Sequence, residues 1–185
     1  YLGGHSDIVG GSIVIRENKE YAEKISYIQN AVGAIPSPFD CYLLTRSIKT
    51  LSVRMKQHNE NAIAVSNFLT NHSKINKVFF PGIDERYKEI AAKQMDGFGG
   101  MMSFILDTNI DGVKSFLKNL NIFTLAESLG GVESLIEHPA IMTHASIDPS
   151  IREKLGISDT LLRISVGIED VEDLIADLDQ ALSKI

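Results

Sequence analysis

The stretch from Leu161 to the C-terminus constrains the fold most. A β-rich run, Leu161-Leu162-Arg163-Ile164-Ser165-Val166, is followed after a short break by an amphipathic pattern over about 170 to 184. In that pattern Val171, Leu174, Ile175, Leu178 and Leu182 form one stripe with acids opposite, as in a helix laid over a sheet. The two-residue period of the strand places Leu161, Arg163 and Ser165 on one face and Leu162, Ile164 and Val166 on the other. Upstream, Lys77 to Phe80, Met101 to Leu106 and Ile122 to Ala126 read as strands, and Ile110 to Leu120 has helical spacing. Short strands alternating with covering helices predict an α/β layer domain.

The first half reads differently. Ser12-Ile13-Val14-Ile15 is a strand signal, and residues 21 to 30 form a helical pattern ended by Gly33 and Pro36-Ser37-Pro38. One long helix is expected from about Phe39 to Asn71, bridging two subdomains, with Cys41 inside its apolar pattern as a buried, inert thiol.

A chain of 185 residues, 44% of them hydrophobic, can bury a core. Its formal charge of −6 and lack of a long Lys/Arg run argue against a nucleic-acid or anionic-membrane partner. No apolar segment approaches membrane-spanning length and no leader pattern opens the chain; with a single cysteine, a cytoplasmic, reducing compartment is expected.

The chemistry concentrates in residues 123 to 146. The strand-like run ends in Glu127-Ser128, and Gly130-Gly131 then permits backbone turns with positive φ and close approach to a ligand. Glu127 and Ser128 are therefore candidates for a site, with a plain turn or capping pair as the alternative. Arg163 lies between apolar neighbours in a strand that is at least half buried, so its guanidinium needs an anion. Its planar fork suits a carboxylate, either from one of the 24 acids of the chain or from a ligand. Thr143 stands either as a satisfied core hydroxyl or as a site residue. His5, His138, His144 and Glu137 lack metal-ligand spacing, so no metal is expected. His5-Ser6-Asp7 places triad letters side by side, where side chains diverge, and the Gly3-Gly4 and Gly10-Gly11 pairs lack a phosphate-loop lysine.

Three segments in order carry a resemblance: Gly33-Ala34-Ile35-Pro36-Ser37-Pro38-Phe39-Asp40, residues 123 to 146, and Leu162-Arg163-Ile164-Ser165-Val166-Gly167-Ile168-Glu169-Asp170. Together they resemble the C-terminal part of the cystathionine γ-lyases and the related γ-synthases, pyridoxal 5'-phosphate (PLP) enzymes of the Cys/Met metabolism family. The similarity runs from Tyr1 to the last residues. It implies a fold type I PLP-dependent transferase architecture: residues 1–50 as the end of the large cofactor domain and the start of a linking helix, and 51–185 as the small α/β domain with a mainly antiparallel sheet. It also implies a homotetramer whose active sites are shared between subunits.

Within that resemblance Arg163 holds the substrate α-carboxylate, Ser128 assists, Thr143 supports the carboxylate site, and Glu127 faces the distal end of the substrate. The cofactor-bearing lysine is expected immediately before Tyr1 and the cofactor contacts upstream of it, so neither is assigned to a residue of this chain. Gly3 stands where many relatives carry asparagine. The reaction implied is γ-elimination on cystathionine, giving cysteine, 2-oxobutyrate and ammonia, in sulfur amino-acid metabolism. γ-Replacement, as in the synthases, is the near alternative, and a non-catalytic α/β interaction domain the alternative of a different class.

Overall fold

A computed structural model describes residues 1–185. In chain order its elements are α1 (Lys19–Val32), α2 (Pro38–Ile48), α3 (Leu51–Asn71), β1 (Ile75–Phe79), α4 (Lys88–Gln94), β2 (Met101–Leu106), α5 (Ile110–Asn119), β3 (Thr124–Leu125), β4 (Leu135–Glu137), α6 (Pro149–Lys154), β5 (Leu161–Ser165) and α7 (Val171–Leu182). The strands form one sheet in the order β1-β2-β5-β4-β3. The β1–β2, β2–β5 and β4–β5 ladders are antiparallel and β3–β4 is parallel, so the sheet is mainly antiparallel, as expected.

One face of this sheet makes the core. Met102, Phe104 and Leu106 of β2 and Leu162 and Ile164 of β5, continued by Val166, alternate inward as the two-residue period predicts. Ala62, Val65 and Leu69 of α3, Val113 and Phe116 of α5, and Leu174, Leu178, Ala181 and Leu182 of α7 cover them. Each fully enclosed Leu, Ile or Phe contributes about 1.5–3 kcal/mol to this layer. The opposite face of β5 presents Arg163.

Four expectations need correction. The long helix is two, because the chain turns at Lys49-Thr50. There the Arg54 guanidinium takes the Ser47 carbonyl (3.0 Å) and the Thr50 hydroxyl (3.1 Å), while the Thr50 N–H closes a tight turn on the same carbonyl (3.1 Å). Ser12 to Ile15 forms no strand within this chain, where Val14 is 93% exposed. Cys41 is exposed on α2, not buried. The run at 122 to 126 contracts to Thr124–Leu125, because the Asp177 carboxylate draws the N–H groups of Asn121, Ile122 and Phe123 (2.8, 2.8 and 3.1 Å) into a turn.

Helix α1 matches its pattern, with Asn18 capping its start and Gly33 its end at φ 74°. None of its residues is buried, and the enclosed apolar core begins only at Ala62.

Candidate active site

The register of β5 sets the site. Arg163 stands opposite Ser103 on β2 and opposite Glu137 on β4, so all three project from the face away from the helices. Arg163 Nη2 lies 2.5 Å from Glu137 Oε2, with the arginine side chain 25% exposed and the glutamate 1%. That contact is an ion pair and not a hydrogen bond. The other glutamate oxygen, Oε1, accepts from the Thr143 hydroxyl. Since that hydroxyl has a single proton, Thr143 Oγ1 accepts in turn from His144 Nδ1–H at 2.7 Å.

The same Nη2 donates to the Glu127 carbonyl at 3.0 Å and reaches the Ser128 carbonyl at 3.5 Å. The structure therefore brings all four sequence-derived candidates into one network: Arg163 at the centre, the Glu127-Ser128 backbone on one side and Thr143, through Glu137, on the other. Glu127 and Ser128 are exposed loop residues beyond β3 and cap no helix. Thr143 is exposed and not a core hydroxyl; it lies in the turn that follows β4 and folds back over it. Glu137 was missed as a site residue. The signal was an acid inside the apolar run Leu135-Ile136-Glu137, which demands a buried cation, but only the strand register says which one.

A cleft of about 670 Å³ opens beside this network, bordered by Tyr1 to Gly4, Pro36, Asp40 and Ser128 to Gly131. Arg163 does not line it; its guanidinium meets the same loop at the Glu127 and Ser128 carbonyls. Gly130, at φ 76°, donates its N–H to Ser165 Oγ (2.8 Å), and a Cβ there would stand 2.8 Å from the Tyr1 nitrogen. Backbone approach of this kind is what a glycine permits.

Tyr1 is held firmly. Its carbonyl accepts from Arg54 Nη1 (2.8 Å), its phenol oxygen accepts from the Gly100 N–H (2.8 Å), and its ring packs edge-on against His58. Burial raises the Tyr1 phenol above its ordinary pKa, the Gly100 bond opposing it. His58 is enclosed, and its Nδ1–H must be the donor to the Val166 carbonyl (2.7 Å), which leaves Nε2 bare. Burial accordingly pushes its pKa down, against the Val166 bond. Asn61, one turn along α3, donates to the Gly167 and Glu169 carbonyls (3.1 and 2.8 Å), so α3 fixes both Tyr1 and the end of the Arg163 strand.

The sequence model of the Cys/Met metabolism PLP-dependent enzymes matches residues 1–183. The chain belongs to that family. It is 54% identical over all 185 residues to a cystathionine γ-lyase of Dictyostelium discoideum, covering 48% of that protein. It is 52% identical over 98% of its length to a cystathionine β-lyase of Coxiella burnetii, covering 47% of it. Among solved structures, a cystathionine γ-synthase of Xanthomonas oryzae pv. oryzae in complex with cystathionine superposes with a TM-score of 0.93 at 48% identity, over 100% of this chain and 48% of that one. A cystathionine γ-lyase of Lactobacillus plantarum complexed with L-serine gives a TM-score of 0.90 at 46% identity, over 100% of this chain and 48% of that one. The chain thus spans about half the length of the relatives it matches. Their α/β fold, that of the fold type I PLP enzymes, is the fold seen here.

The residues present fit one wall of a PLP site. The cleft is of ligand size, the Gly130-Gly131 turn brings backbone to its edge, and the Arg163 guanidinium waits at the adjoining loop. No lysine borders the cleft. No helix is long and apolar enough to cross a membrane.

Proposed function

We propose that the full-length protein carrying this chain cleaves cystathionine by PLP-dependent γ-elimination, releasing cysteine, 2-oxobutyrate and ammonia. The observation that carries the reading is the convergence of Arg163 with the Glu127-Ser128 loop at the edge of the cleft, in a chain of the Cys/Met metabolism family.

PLP, when bound, supplies the electron sink that lets a Cα–H bond of an amino acid break. The residues of this chain orient the substrate for that step. Arg163 holds the α-carboxylate, which fixes the rotation about Cα and so selects the bond that is broken. Ser128 adds a hydroxyl contact to the same carboxylate, and Thr143 supports the site from behind. The Glu127 side chain, exposed and free of any partner within the chain, faces the distal ammonium end of the substrate. Gly130 and Tyr1 close one side of the cleft, and the cofactor lysine belongs to the position preceding Tyr1. Residues 1–50 are read as the end of the large cofactor domain and the start of the linking helix, and 51–185 as the small domain; a core that begins at Ala62 supports the division. A cytoplasmic homotetramer with shared sites completes the reading.

A specific likeness keeps γ-replacement in view, since a γ-synthase superposes at a TM-score of 0.93. The identity to β-lyases makes the released keto acid the deciding product. Full-length protein incubated with L-cystathionine is expected to release 2-oxobutyrate with cysteine. Pyruvate with homocysteine would replace γ-elimination by β-elimination, and an absence of keto acid would overturn the lyase reading.

A further inference from the structure

The network around Arg163 holds a buried acid that the proposed chemistry does not use. Glu137 is the direct cross-strand partner of Arg163 and is 1% exposed; one oxygen accepts from the Thr143 hydroxyl and the other makes an ion pair with Nη2 without a hydrogen bond. Nη2 also serves the Glu127 and Ser128 carbonyls, whereas Nη1 and Nε have no acceptor in the chain. Both bidentate faces of a guanidinium, Nη1 with Nη2 and Nε with Nη2, include Nη2. The place at which Glu137 holds Nη2 therefore bears on where the free nitrogens lie.

Taking Arg163 as the carboxylate anchor proposed above, we propose that Glu137 is its positioning residue, pinned by Thr143 and holding Nη2 by charge so that one of the free nitrogens, Nη1 or Nε, meets a ligand carboxylate. Three features make Glu137 a positioner and not only a counter-charge. It sits on a strand, a rigid element, at a fixed register with Arg163. Its second oxygen is tied by Thr143, which removes the carboxylate's own rotation. His144 orients the Thr143 hydroxyl in turn, so the chain of contacts runs His144, Thr143, Glu137, Arg163. A guanidinium left with only the two loop carbonyls would turn with that loop, and the free nitrogens with it.

The test uses cofactor-loaded full-length protein and compares, by titration calorimetry, its affinity for L-alanine with that for ethylamine, the same amine without the carboxylate. The wild-type ratio measures the carboxylate anchor alone. Glu137→Ala is expected to lower that ratio about tenfold or more, the weight of one charge-assisted contact. Glu137→Gln, whose amide oxygen can still face Nη2, should restore part of it. Thr143→Val, at an exposed position and hence tolerant of substitution, should lower the ratio roughly threefold, with Thr143→Ser restoring it. If Glu137→Ala leaves the ratio unchanged or raises it, or if it fails to fold and Thr143→Val leaves the ratio unchanged, the positioning role is overturned while Arg163→Ala still tests the anchor. A wild-type ratio near unity, unaffected by Arg163→Ala, overturns the anchor and the positioning role together.

Discussion

Glu137 and Arg163 face each other across the β4–β5 ladder, Oε2 to Nη2 at 2.5 Å, with the acid buried and the base a quarter exposed. The asymmetry of that burial sets the first prediction. With Glu137 removed, the guanidinium can turn toward water; with Arg163 removed, the carboxylate cannot. Arg163→Ala should cost about 3–5 kcal/mol of folding stability and Glu137→Ala clearly less. Urea denaturation of the two variants checks the order.

Asp177 ties the entrance of the site loop to α7. Burial pushes its carboxyl pKa up, but the N–H groups of Ile122, Asn121 and Phe123, with the Gln180 amide, outweigh burial and leave it below the usual carboxylate value. A carboxyl lowered in the folded state stabilises above its unfolded pKa of about 3.9, and that stability is lost as pH falls through the folded value. Asp177→Asn should destabilise by about 1–3 kcal/mol at neutral pH, the deficit shrinking below about pH 4. Denaturation midpoints at several pH values read it directly.

His58 gives a slope in another window. Its folded pKa lies below the unfolded value of about 6.5, so between the two the unfolded chain binds more protons. Stability therefore rises with pH through this range and falls as pH drops below about 6.5. Replacing His58 by Gln, which keeps a donor toward the Val166 carbonyl, should flatten the slope just below about pH 6.5. An unchanged slope would place the proton elsewhere.

At Gly130 the constraint is backbone. A Cβ at φ 76° is strained by about 1–2 kcal/mol, and here it would also meet the Tyr1 nitrogen at 2.8 Å. Gly130→Ala should lower thermal stability and displace Tyr1 from the cleft edge. Loss of protection of the Gly100 amide, which bonds the Tyr1 phenol, would report that displacement by hydrogen exchange.

Much of the fold was legible because its signals were local. The alternation in Met101–Leu106 and Leu161–Ser165, the stripe of α7 and the Gly33 cap all follow from the period of the element itself. What was not legible depended on partners distant in sequence. The helix break at Lys49-Thr50 follows from the Arg54 guanidinium turning back on Ser47, and the shortened β3 from an acid 54 to 56 positions downstream. Val14 has a strand's composition and pairs with no strand of this chain. The site behaved in the same way. Arg163, Ser128, Glu127 and Thr143 stood out by residue type and family motif, whereas Glu137 became visible only when register paired it with Arg163.

The most direct measurement is keto-acid release from L-cystathionine by the full-length protein and by its Arg163→Ala variant, side by side. The wild type should release 2-oxobutyrate, and the variant should lose about a hundredfold or more in kcat/KM while its cofactor absorbance persists. A variant that turns over cystathionine as well as the wild type would contradict Arg163 as the substrate anchor.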